Sequence, residues 1–191
     1  MLFDLVADIR MSLGTLPRFL IVMPGADMRA GEAGKYAWTN AGKGSYGDYI
    51  ANDLLPFIDG KYSTIASRDG RAIGGISRGG YWSIQIALSN PDKFSALGAH
   101  SPSITTKLVG VSANFSMLSY ARAAADLRAL RIWMDAGNTD WTRSDIDRFA
   151  KDLKAKGVEG FAYSIGQGAH EDEYWTSRVG DYLAFYGQAW R

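Results

Sequence analysis

Between Arg71 and Asn90 the chain changes its hydrophobic period almost without a connection. Arg71 to Ile76 reads as a short apolar strand, and Gly79 to Ser89 as a helix stopped by Asn90-Pro91, with only Ser77-Arg78 between them. Leaving a strand and entering a helix in two residues demands a sharp turn. Gly75 and Gly79 flank that turn, at the places where strand and helix side chains would otherwise collide.

The same alternation runs along the rest of the chain. Leu2, Leu5, Val6, Ile9 and Leu13 fall at helical spacing and predict an opening helix ended near Gly14. Arg18 to Met23 is an apolar burst stopped by Pro24-Gly25, read as a buried strand over Phe19–Met23. Gly25 to Gly47 is a long polar, Gly-rich stretch and is predicted to be a surface loop. Ile50, Leu54, Phe57 and Ile58 then share one face of a helix that Pro56 should bend or end. Strands are predicted at Ala96–Ala99, Ala129–Met134 and Phe161–Ile165. Helical stretches fall around 117–128, at Ile146 to Leu153 with its end at Gly157, and at 174–189. Strands alternating with helices imply an α/β fold: one domain over 1–191, with a mainly parallel sheet of about five strands and helices on both faces. Right-handed crossovers then place the functional loops at the strand C-terminal ends.

Composition removes whole classes of chemistry. Of 191 residues, 21 are Lys or Arg and 20 Asp or Glu, a net charge of +1, so a basic footprint for nucleic acid or anionic lipid is not expected. There is no Cys, which excludes thiolate nucleophiles and Cys-held metals, and the two histidines, His100 and His170, are too few for a His-rich metal site. Neither metal nor cofactor is expected. The five-residue run Phe19–Met23 is far short of the ~20 residues that span a bilayer, and Asp4, Asp8 and Arg10 interrupt any secretory signal. The compartment stays open.

Gly75-Ile76-Ser77-Arg78-Gly79 is G-x-S-x-G between a strand and a helix, the context in which that pattern raises a nucleophilic serine above a sheet. A serine hydroxyl needs a base. His170 lies in Gly166-Gln167-Gly168-Ala169-His170, directly after the last predicted strand, whereas His100 follows the third and is a candidate for a pocket wall or plain structure. In this architecture nucleophile, acid and base run in that order along the chain, which selects His170. The acid lies in Met134-Asp135-Ala136-Gly137-Asn138-Thr139-Asp140. Asp140, past Gly137, is the preferred residue and Asp135 the alternative. Glu171, Asp172 and Glu173 read as a solvated turn capping the closing helix.

Taken together, Asp53-Leu54-Leu55-Pro56-Phe57-Ile58 with Lys61-Tyr62, Arg71 through Gly80, and Asn90-Pro91-Asp92-Lys93-Phe94 resemble the esterase D-type esterase family of α/β-hydrolases. That family includes feruloyl and acetylxylan esterases, S-formylglutathione hydrolases, enterochelin esterases and mycolyltransferases. Gly137-Asn138-Thr139-Asp140 and Gly166 to His170, followed by Trp175, resemble the acid and histidine loops of its feruloyl esterases, with matching spacings of 63 and 30 residues. The resemblance implies a serine carboxylic-ester hydrolase with Ser77 as nucleophile, Asp140 as acid and His170 as base. It also implies a small-molecule or carbohydrate-linked ester substrate, feruloyl or acetyl first. Tyr81, Trp82, His100, Trp141, Trp175 and Trp38 are the candidates for lining its pocket. Acyl transfer by the same triad, or a non-catalytic ligand- or partner-binding module, are the alternatives.

Two departures stand out. Arg78 replaces the family's usual Met after the nucleophile; its backbone N–H still serves an oxyanion. The family's first three strands, with the loop carrying its other oxyanion donor, have no counterpart. Phe19–Met23 is therefore expected to move over and pair with Arg71–Ile76, with a homodimer as one way to cover an exposed sheet edge. Gly25 and Ala26 would then stand in as oxyanion donors.

Overall fold

The structure, a computed structural model, describes residues 3–25, 42–104 and 116–190. Its centre is a four-stranded parallel sheet in the order β1 (Ala72–Ile76), β2 (Ala96–His100), β3 (Arg131–Gly137), β4 (Ala162–Gly166). Sequential strands are neighbours throughout, so every strand C-terminus opens on the same rim.

Helices cover both faces. α1 (Phe3–Ser12) opens the chain. α2 (Tyr46–Tyr49), a π-helical turn (Ile50–Leu54) and α3 (Leu55–Lys61) form one continuous run. α4 (Arg78–Ser89), α5 (Ala124–Arg128), α6 (Arg143–Ala155) and α7 (Asp172–Gly187) follow. Alternation along the strands sorts the core into two sides. Ile73, Leu97, Ala99, Ile132, Met134 and Ala136 pack with α4 and α6, whereas Ile76 and Trp133 face Tyr182 and Tyr186 of α7. α1 buries Ala7 beside Val179 and Leu183 of α7. No described helix is long and apolar enough to cross a membrane.

Two expectations are corrected. Pro56 does not end its helix, which runs on to Lys61. The missing proline N–H is accommodated by widening the preceding turn, where Leu55 N–H donates to Ile50 O.

The larger correction concerns Phe19–Met23, which is no strand and does not pair with Arg71–Ile76: among the described residues the sheet has four strands, and β1 is one of its edges. Phe19 and Ile21, alternate residues of this extended segment, pack on the α1–α7 cluster, and the Phe19 ring lies 5.1 Å from that of Trp190. Held there, the segment stands off β1 across a cleft of about 810 Å³ lined by Phe19, Val22, Met23, Ile73, Gly74 and Trp82. Partial burial of these two side chains on the helical layer holds the segment away from the β1 edge.

Candidate active site

Ser77 ends β1 with φ 56° and ψ −116°, a left-handed conformation rare for a residue with a side chain. The surroundings hold it there. Ser77 N–H donates to His100 O (2.9 Å), and Ser77 O accepts from Tyr81 N–H (3.1 Å) and Ser103 N–H (2.9 Å). A Cβ on Gly75 would collide with the backbone of Gly79, so glycine at 75 is what lets strand and helix approach this closely. At Gly79 itself a Cβ would meet nothing, so the two glycines are not equivalent.

Although Ser77 occupies the N-cap position of α4, its side chain makes no capping bond. Its Oγ lies 2.8 Å from His170 Nε2 and 3.0 Å from Ser103 Oγ. The imidazole's other nitrogen, Nδ1, lies 3.1 and 3.2 Å from the two carboxylate oxygens of Asp140. The acid and histidine loops that bring these groups together are joined directly. Asn138 N–H donates to Gly166 O (2.7 Å), Thr139 N–H to Gly168 O (3.0 Å), and Gly168 N–H to Asn138 Oδ1 (3.1 Å).

Asp140 is buried, 5 % exposed. Burial alone would raise its pKa, but hydrogen bonds from His170, Ser101 and the Thr142 backbone and hydroxyl (2.8 and 2.7 Å) outweigh it and hold the carboxyl at about 2. An ionised Asp140 keeps the proton on Nδ1, so Nε2 presents its lone pair and the Ser77 hydroxyl donates to it.

Asp135 is not the partner of His170. It sits one layer below, accepting from His100 Nδ1 (2.6 Å) and from the Tyr174 and Tyr182 hydroxyls (2.9 Å each). His100 is 2 % exposed, stacks on Tyr182 and meets the Tyr186 hydroxyl through Nε2 (2.9 Å), so it lines no pocket. Tyr186 reaches it across β1 and β2, where a Cβ on Gly74 or Gly98 would strike its hydroxyl.

The aromatic candidates separate. Tyr81 is fully buried with its hydroxyl 3.1 Å from that of Tyr120, and belongs to the core. Trp82 packs on Tyr46 and faces the cleft beside β1, with the Arg78 guanidinium 6.0 Å from its ring centre. Trp175 meets the His170 ring edge-on at 5.0 Å, and Trp141, 53 % exposed, lies 4.7 Å from it at the rim. Gly25 is exposed, and a Cβ on it would meet nothing within 4 Å. Ala26 and Trp38 lie outside the described residues.

Two site residues were not anticipated from the sequence. Ser101, buried with φ 44°, hydrogen-bonds Asp140 while its Oγ accepts the Trp175 indole N–H (3.0 Å), and Ser103 touches the Ser77 hydroxyl. The available signal was Ser101-Pro102-Ser103 itself, two hydroxyls directly after a strand on the functional rim.

Fold and site together define an α/β-hydrolase fold bearing a serine elbow. Residues 5–186 match the family described as "Putative esterase", and the chain belongs to it. It is 22 % identical over 162 residues to an acetyl esterase of Caldicellulosiruptor saccharolyticus, covering 70 % of this chain and 60 % of that one. It is 26 % identical over 145 residues to the uncharacterized protein YjcH of Bacillus subtilis (strain 168), covering 71 % and 57 %. The chain thus spans about three fifths of the length of these curated relatives. Among solved structures it resembles a ferulic acid esterase (TM-score 0.79, 24 % identity, 97 % of this chain and 76 % of that one). It also resembles the feruloyl esterase module of Clostridium thermocellum (TM-score 0.68, 16 % identity, 99 % and 71 %). Likeness at these identities concerns the fold.

Proposed function

We propose that the protein hydrolyses carboxylic esters through an acyl-enzyme on Ser77. The observation that carries this reading is the unbroken line from Asp140 through His170 to Ser77, closed by the 2.8 Å contact between Nε2 and Oγ. Ser77 Oγ attacks the ester carbonyl as His170 takes its proton, and Asp140 stabilises the imidazolium. The C–Oγ bond forms and the carbonyl electron pair moves onto oxygen, which accepts from the Arg78 backbone N–H at the start of α4. Collapse restores the carbonyl and expels the alcohol, which takes the proton from His170. Water then attacks the acyl carbon, gives its proton to His170, and releases the acid as Ser77 recovers its own.

The family and its feruloyl and acetyl esterase relatives support a small acyl ester as substrate, and the exposed Trp141 ring beside His170 suits an aryl or acyl group at the rim. The test is p-nitrophenyl acetate: a burst of one p-nitrophenolate per chain followed by slower turnover, with labelling of Ser77 by a fluorophosphonate. Both should vanish in Ser77→Ala. Turnover that survives that substitution would refute the reading.

A further inference from the structure

Resting on that reading, we infer that Ser103 is a further catalytic residue, whose hydroxyl donates to the Ser77 oxygen and supports the charge on it when the acyl-enzyme breaks down.

The direction of the contact follows from proton counting. Ser77 carries one hydroxyl proton, and that proton faces the lone pair of His170 Nε2 at 2.8 Å. The 3.0 Å contact between the two serine oxygens therefore runs from Ser103 O–H to Ser77 Oγ. Ser103 is 3 % exposed, and among the described residues its hydroxyl has no other hydrogen-bond partner than the Ser77 oxygen. Its position is fixed independently of the hydroxyl. Ser103 N–H donates to Ser77 O (2.9 Å), Ile104 N–H closes a turn on Pro102 O (2.9 Å), and Pro102 lies against α4 where a Cβ on Gly80 would touch it at 3.0 Å.

A donor held on Oγ acts unequally on the two halves of the reaction. Attack and departure of Oγ pass through the same partly charged oxygen in opposite directions, but attack starts from a hydroxyl that accepts the Ser103 hydrogen bond well and departure from an ester oxygen that accepts it poorly. In deacylation the C–Oγ bond breaks, the bonding pair moves onto Oγ, and the proton on His170 arrives to neutralise it. A hydrogen bond to an oxygen bearing charge is stronger than one to a neutral oxygen, so Ser103 contributes most to the second half.

Burst kinetics of the full chain with p-nitrophenyl acetate test this. Ser103→Ala should lower steady-state kcat about ten- to a hundredfold. The burst should persist, and the melting temperature should stay within a few degrees. Ser103→Thr, which keeps the hydroxyl, should retain most of the turnover. Ser103→Cys, nearly isosteric with a weak donor, should fall between Ala and Ser, and carries the test if the Ala variant does not fold. Wild-type turnover matched by both Ala and Cys variants would overturn the role of Ser103 alone, as would a folded Thr variant as slow as Ala. A wild-type chain with no Ser77-dependent burst would overturn the reading of the site itself, and this inference with it.

Discussion

The molecule contains two imidazole–carboxylate pairs of the same chemical design in different settings. In His170–Asp140 and in His100–Asp135 alike, Nδ1 faces the carboxylate and Nε2 faces a hydroxyl. Above the sheet that hydroxyl belongs to Ser77, on a turn opening to the rim. Below β1 and β2 it belongs to Tyr186, whose pKa burial pushes well above the ordinary phenol value, with the Asp135 charge adding to the effect. His100 is enclosed by Trp133, Tyr182 and Tyr186, with no space for a reacting molecule. A paired histidine and aspartate therefore specify nothing about catalysis; what the far nitrogen meets decides.

Exchanging the imidazoles for groups without a base should separate the pairs most sharply. His170→Gln is expected to lower kcat by about 10⁴-fold or more with stability nearly unchanged, whereas His100→Gln should leave turnover per folded molecule within a few-fold of wild type. Equal losses of turnover would erase the distinction drawn here. Among the carboxylates, Asp140→Asn should cost about 10³–10⁴ in kcat, because the amide no longer holds the proton on Nδ1. Asp135→Asn should appear in a denaturation curve instead, destabilising by about 3–5 kcal/mol by breaking a buried pair that also anchors two tyrosine hydroxyls.

A smaller effect lies in acid. The pKa of Asp140 is lowered to about 2 in the folded chain, against 3.8 for the ordinary carboxyl, so its stabilising contribution is complete above about pH 4 and is lost as the pH falls toward 2. The loss is about 2 kcal/mol. Acid denaturation of Asp140→Asn should lack that component. The smallest change is expected from Trp175→Phe, which deletes the indole donor to Ser101 and should slow turnover only a few-fold.

Ser77 was legible because its signal is local: strand pattern, glycine, serine, glycine and helix pattern within twenty residues. His170 followed from order along the chain and the preference for Asp140 from its place in the loop past Gly137; the structure sets His170 against Ser77 and Asp140 against His170. Phe19–Met23 was misread because an apolar burst does not record what it packs against; here Phe19 and Ile21 are half-buried on the helical layer while Leu20, Val22 and Met23 stay exposed. Tyr81 and His100 were indistinguishable from pocket residues in sequence, since an aromatic on a buried helix face and one beside a rim share the same pattern.

The sequence by itself determined the alternation of strands and helices, the turn that raises Ser77, and the order of the groups that meet there, since periodicity and turn chemistry act over a few residues. Only the tertiary structure decided which carboxylate reaches which imidazole, that β1 is left as an edge, and that Ser101 and Ser103 hydrogen-bond Asp140 and Ser77. Those contacts join residues from about twenty-five to more than ninety positions apart, and their geometry is set by strand register and loop crossing, which no local pattern encodes.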